Sequence, residues 1–312
     1  MKTPREIYLY FALLLKRFFP LWRMYGFPVA FGALIFPFSH LFKSLRPYIA
    51  QHKHMAILFY LKKKYINVLK KFASFNETPT NIEPDSAIWV CWWDGEENMS
   101  PLVKACYNSI QQYAGRHPVK LITKYNFRDY VSIPEYILDK LDSKLMTLTH
   151  FSNILRVNLL HDHGGIWMDA TILTLKDISL ENLSFYTLKA PAKTASVTLN
   201  SFDGISSEAS DICSSFHINR DAPISRWSGF LLAGIKHSPV FAYLRDILYA
   251  YWKDHDDQID YLLFDYTIAL GCDNIPLMKK LINNVPCSEV EKFELEKDLD
   301  REFSGKDRKS VV

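Results

Sequence analysis

Carboxylates are nearly missing from the first eighty positions: only Glu6 and Glu77 stand against thirteen Lys and Arg. That segment carries a net +11 and leaves −8 for the rest of a 312-residue chain whose total is +3. Near-neutrality therefore hides a basic leader and an acidic body. Cysteine is scarce too. Cys91, Cys106, Cys213, Cys272 and Cys287 are odd in number, far apart and without a Cys-x-x-Cys pair, which excludes a disulfide framework or zinc ribbon and fits a reduced cytosol. Eleven glycines and fifteen prolines without an internal period exclude collagen-like, repeat and low-complexity architectures. With 48% hydrophobic and 23% charged residues, the chain can bury one large core plus an appendage, or two modest ones.

The leader has no small-x-small cleavage site after the apolar run Ile7 to Leu15, because Lys16 and Arg17 follow at once, so secretion is not expected. Between Arg23 and Lys43 lie 19 uncharged residues, enough to cross a bilayer but interrupted by Gly26, Pro28, Gly32 and Pro37. An interfacial or re-entrant segment is the favoured reading, with a true span or a hydrophobic cap as alternatives. Pro47 to Phe72 reads as a helix carrying Lys62, Lys63, Lys64, Lys70 and Lys71, suited to lipid headgroups. Because the basic residues sit in this apolar leader, the expected partner is an anionic membrane surface and not nucleic acid.

A turn-rich stretch, Asn76 to Ser86, separates a leader (1–80) from a body (81–303) that ends in a tail (304–312). In the body, Ala87 to Trp93 reads as a strand. Ser100-Pro101 caps a helix, Val119 to Thr123 is a second strand, Pro134 opens a short helix, and Leu148 to His163 is a longer helix stopped by Gly164-Gly165. Ile166-Trp167-Met168 then runs as a strand into Asp169, with Ile172 to Leu175 extended. This alternation predicts an α/β, doubly wound, mostly parallel sheet whose ligands bind beyond the carboxyl ends of its strands. Lys193 to Arg226 reads as a polar loop over a site or a surface insert. Trp227 to Trp252 and Ile259 to Leu270 read as helices bringing Asp260 and Asp265, Asp254 to Asp257 as a solvated turn, and Glu289 to Arg301 as a charged helix.

Thr149, Ser152, Asn153 and Arg156 fall at helical spacing and form a polar stripe. Two glycines tie that helix to a strand ending in a carboxylate. Arginine beside a strand-end aspartate suits a diphosphate: the guanidinium neutralises phosphate in a planar fork, and the carboxylate offers a hard oxygen to Mn²⁺ or Mg²⁺. The Trp92-Trp93-Asp94-Gly95 turn comes after the first strand, where a nucleotide base would stack, so Trp93 and Asp94 are candidate base contacts. His161 and His163 with Asp169 suggest the rival of a metal-dependent phosphodiester hydrolase, although two histidines two apart at a helix end do not face together.

Phe151-Ser-Asn-Ile-Leu-Arg156, then Gly164-Gly165-Ile-Trp-Met-Asp169-Ala-Thr171, resembles the signature of the glycosyltransferase family 32 sugar transferases. The Trp, the Asp-Ala-Thr ending and the segment from Ala87 to Ile110 are closest to its bacterial capsular polysaccharide synthesis branch. The likeness is strong over Ile88 to Leu175 and absent from the leader. It implies a nucleotide-diphospho-sugar transferase fold of GT-A type, a nucleotide-sugar donor, a saccharide or lipid-linked acceptor and retention at the anomeric carbon. By the same resemblance Asp169, Arg156 and Asn153 would be catalytic. Trp93, Asp94, Ser152, Gly165 and Trp167 would bind donor, and Asp169 with Thr171 would hold a divalent cation, Mn²⁺ or Mg²⁺. Two departures stand out: Asn153 replaces an aspartate, and Thr171 replaces the second Asp of an Asp-x-Asp motif. They keep a second reading open, a catalytically inactive sugar-nucleotide-binding scaffold of a polysaccharide assembly complex. The expected location is the cytoplasmic face of a bacterial inner membrane, peripheral or monotopic.

Overall fold

A computed structural model describes residues 4–41, 44–75, 80–180, 182–188, 216–218, 223–225 and 227–286. The expected helix at Glu289 to Arg301 and the tail lie outside the described residues. Five strands make the main sheet: β1 (Ile88–Cys91), β2 (Val119–Ile122), β3 (Gly165–Met168), β4 (Phe185–Thr187) and β7 (Leu231–Gly234), in the order β2-β1-β3-β7-β4. β1 pairs in parallel with β2 and β3, whereas β7 runs against both β3 and β4, so four of the five strands point one way. The sheet is thus mixed α/β and mostly parallel. Within the stretch read as a polar loop, β5 (Phe216–Ile218) and β6 (Pro223–Ser225) form a separate antiparallel pair. The other residues of 193–226 lie outside the described ones.

The helices of the body are α5 (Pro101–Gln112), α6 (Glu135–Asp142), α7 (Leu148–His163), α8 (Pro239–Asp254), α9 (Leu263–Asn274) and α10 (Pro276–Asn284). Ser100 caps α5 by accepting from the Val103 amide, with Pro101 in the first turn, where its missing N–H costs nothing. Thr147 caps α7 in the same way through the His150 amide. One expectation is corrected. Leu231–Gly234 is a strand inside the segment read as one long helix: four consecutive buried residues carry no periodicity that tells strand from helix. At the turn, Asp254, Asp256 and Asp257 are exposed, while His255 is buried and the Asp257 carbonyl accepts from the hydroxyls of Tyr25 and Tyr251. Ile172 to Leu175 is irregular chain and joins no strand.

The leader forms α1 (Pro4–Tyr25), α2 (Phe27–Ile35), a 3-10 turn (Phe36–Leu41), α3 (Arg46–Lys64) and α4 (Ile66–Phe72). Gly26, at φ 90°, breaks the apolar stretch between α1 and α2, and Pro37 falls in the 3-10 turn. No helix among the described residues is long and apolar enough to cross a membrane. These helices share one continuous core with the body: Leu21, Tyr25, Leu58, Leu61, Leu69 and Phe72 pack in the same cluster as Tyr243, Tyr251 and Leu270. Polar ties cross the same contact. Tyr25 meets Tyr251 at 2.9 Å, and His54 Nδ1 meets the Tyr266 hydroxyl at 2.6 Å. Of the leader lysines, Lys53 turns inward to Asp260, while Lys64 and Lys71 form surface ion pairs with Asp254 and Asp246.

Strand alternation sorts the two faces of the sheet. Ile88, Val90, Ile166 and Met168 enter the core on the α5 side, while Trp89 and Trp167 enter the one containing α7 and the leader. Parity then carries Cys91 and Asp169, at the strand ends, to the α7 side.

Candidate functional site

Three parallel strands end together, and the residues just beyond their ends make the site: Trp93 and Asp94 after β1, Lys124 after β2, Asp169 after β3. Arg156 comes to Asp169 from α7. Its Nη2 donates to Asp169 Oδ1 at 3.0 Å, and Trp167 Nε1 donates to the same oxygen at 2.6 Å. The guanidinium carbon lies 4.9 Å from the Trp167 ring centre and 5.3 Å from that of Phe264, so the cation is held between two aromatic faces. Gly229 completes the cage: a Cβ there would stand 2.9 Å from Arg156 Nη1 and 3.2 Å from the Phe264 ring.

Arg156 is 4% exposed. Burial pulls its pKa down, while Asp169, Asp265 and the Cys91 sulfur push it up. Arginine stays protonated in proteins, so the outcome is a buried cation whose anionic neighbours are Asp169 and, more distantly, Asp265. The Arg156 Nε is buried without a hydrogen-bond acceptor, and Asn153, one turn earlier on the same helix, is a largely buried residue. A buried donor left unpaired like that Nε is unusual and points to a missing polar partner. Cys91 is no nucleophile: burial first, then Asp169, pushes its thiol up to about 12.

The remaining predicted residues divide into two groups. Ser152 sits near the N-terminal end of α7 and bonds back to the Thr149 carbonyl at 2.8 Å. Trp93 is half-buried, with Phe151 and Phe127 against its ring at 5.1 and 5.4 Å, and Asp94 is exposed and paired with Lys124 at 2.8 Å. Trp167 positions Asp169. Gly165 lies at the opposite end of β3, about 13 Å from Asp169 at 3.3 Å per residue. A Cβ on Gly165, at φ +96°, would meet the Ala87 carbonyl at 2.3 Å, so its role there is close strand packing. His161 and His163 lie at that far end as well, with His161 bonded to Asp162 and Arg245 and His163 to the Tyr130 carbonyl. The hydrolase constellation is therefore not brought together.

Thr171 is exposed and Ala170 is buried in the core on the α5 side, both in the turn that follows β3 and Asp169. Among the described residues no group of three or more His, Cys, Asp or Glu is placed to hold a metal ion. One carboxylate, with Oδ1 already taken and Oδ2 open, plus one hydroxyl fits a cation that arrives with a substrate's phosphates, since Mg²⁺ is usually bound through one or two carboxylates and phosphate oxygens. Of the carboxylates on the later helices, Asp265 reaches this region, accepting from Trp227 Nε1 at 3.2 Å, whereas Asp260 turns to the leader. Phe264 and Gly229 carried no signal in the sequence.

A family profile described as capsular polysaccharide synthesis protein matches residues 39–312. The chain belongs to the capsular polysaccharide synthesis family. Its matched region takes in part of the leader as well as the whole described body, in keeping with the core they share. No curated protein and no solved structure shows a significant match to the chain.

Proposed function

We propose that this capsular polysaccharide synthesis protein is a retaining glycosyltransferase of the GT-A type, related to family 32. It would move a hexose from a nucleotide-diphosphate sugar to a saccharide or lipid-linked acceptor at the cytoplasmic face of a bacterial inner membrane. The observation that carries this reading is the buried Arg156, caged by Trp167, Phe264 and Gly229, with an orphaned Nε and paired with the strand-end Asp169. A preorganised cation at the carboxyl ends of parallel strands is the group a departing diphosphate requires.

In the reaction the bond from the anomeric carbon to the diphosphate oxygen breaks through an oxocarbenium-like transition state, and an acceptor hydroxyl oxygen bonds to the same face. The hydroxyl proton passes to the departing phosphate. Arg156 stabilises the negative charge that builds on the diphosphate, and Asn153 is placed to hydrogen-bond the sugar or phosphate. A divalent cation, Mn²⁺ or Mg²⁺, would supply further charge neutralisation when bound, with Asp169 and Thr171 as its protein ligands.

Release of nucleoside diphosphate from a panel of nucleotide sugars, with and without oligosaccharide or lipid acceptors, tests this. We expect acceptor-dependent release by the natural protein and its loss in Asp169→Asn. That variant should remain folded below its melt but lose up to roughly 3–5 kcal/mol, because it leaves the buried Arg156 without its nearest anion. Binding without turnover would favour the scaffold, and acceptor-independent cleavage would favour a hydrolase.

A further inference from the structure

Between α1, α2 and the segment leading into α9 lies a cavity of about 310 Å³. Leu21, Ala30, Ala33 and Leu34 give it apolar walls, and its charged lining groups are Arg17, Lys53 and Asp260. Lys53 is fixed, 2.6 Å from Asp260 and 4.3 Å from the Phe36 ring centre. Arg17 is exposed and makes no ion pair among the described residues, so the lining carries one uncompensated positive charge. The volume reaches the lower end of the roughly 300–1,000 Å³ typical of small-molecule sites.

The outer side of the same hairpin is aromatic and open. Phe19, Trp22, Phe27 and Phe31 are each at least 38% exposed and touch in sequence, with ring centres 6.4, 5.6 and 5.6 Å apart. A contiguous exposed apolar ridge is uncommon on a soluble surface and marks an interaction site. Charge selects the partner. From Ile7 to Asn76 the chain has no Asp or Glu, and the exposed Lys16, Arg17 and Arg23 flank the ridge. A second copy of this face would meet it with like charge, whereas an anionic bilayer would meet it with opposite charge.

We propose that this cavity seats the apolar chain of a long-chain lipid phosphate drawn from an anionic bilayer, with the phosphate against Arg17 and Lys53. Ile259 and Asp260 line the cavity, whose lining includes neither Arg156 nor Asp169. The proposal concerns lipid binding alone and does not rest on the transferase reading.

Photo-crosslinking of the full-length protein with a diazirine-bearing long-chain alkyl phosphate, mapped by peptide mass spectrometry and run without any donor, tests the site. We expect adducts on α1 and α2, about tenfold weaker with the same chain as a neutral alcohol and insensitive to excess inorganic phosphate. Ala33→Phe, which fills the cavity, should lower labelling by about tenfold, and Arg17→Glu, at an exposed position where folding is not at stake, by a similar factor. Equal labelling by the alcohol, full competition by inorganic phosphate, adducts confined to other elements, or undiminished labelling in Arg17→Glu would each overturn the proposal. A concentration-dependent dimer that blocks labelling would also overturn it and assign the ridge to a second copy. Since no turnover enters, labelling with no transfer would count against the transferase alone.

Discussion

Arg156 and Asp169, thirteen residues apart in the chain, meet across 3.0 Å with the arginine almost wholly buried and the aspartate one-third exposed. The pair is asymmetric: the cation is locked by two aromatic rings, and the anion keeps its second oxygen toward the open side. An incoming diphosphate would meet a charge that needs no reorganisation, which is where electrostatic catalysis gains most.

Two glycines should separate structural from functional roles. Gly165→Ala places a Cβ 2.3 Å from the Ala87 carbonyl on a backbone at φ +96°, so a stability loss above about 3 kcal/mol is expected in thermal melts. Gly229→Ala instead presses on Arg156 Nη1 and Phe264, whose side chains can shift a little. It should cost only about 1 kcal/mol while weakening nucleotide-sugar binding about tenfold. A severe melt for Gly229→Ala, or a mild one for Gly165→Ala, would reverse the assignment.

Thr171→Asp adds a hard anionic oxygen at an exposed position two residues from Asp169. Calorimetric titration with Mn²⁺ in the presence of nucleoside diphosphate should then show tighter metal binding with an unchanged melting temperature. A collapsed melt would mean that position 171 faces the core.

Low pH should loosen the contact between leader and body. Burial lowers the His54 pKa to about 4, and burial also lowers those of His150, His161 and His255. Below the ordinary value of 6.5 the unfolded chain binds protons that the folded one refuses, so stability falls as pH drops from 6.5 toward 4. His54 alone accounts for about 2 kcal/mol at pH 5. His54→Asn should flatten the dependence of denaturant midpoints between pH 7 and 5; an unchanged slope would mean that His54 is not a source of the acid sensitivity.

The polar stripe on α7, the glycine stop and the strand-end Asp169 were legible because each obeys a local rule: helical spacing, a C-terminal glycine, a short apolar run. The cage around Arg156 was not. Phe264 and Gly229 reach it from elements more than 70 residues downstream, and nothing in their own neighbourhood marks them. The reversed strand β7 was hidden because Leu231-Leu-Ala-Gly234 has no period to read. The leader looked separable on composition alone, and its inward-facing Tyr25, His54 and Lys53 find partners only in the folded body.

The most direct test of Arg156 as the donor-binding cation is calorimetric binding of a nucleotide-sugar panel to the natural protein and to Arg156→Lys. Lysine keeps the charge but loses the planar fork and the stacking between Trp167 and Phe264. At least one nucleotide sugar should bind the natural protein, and its affinity should drop about 10- to 100-fold in Arg156→Lys, the melt remaining within a few degrees. Equal affinity for that donor in both proteins would contradict the role assigned to Arg156.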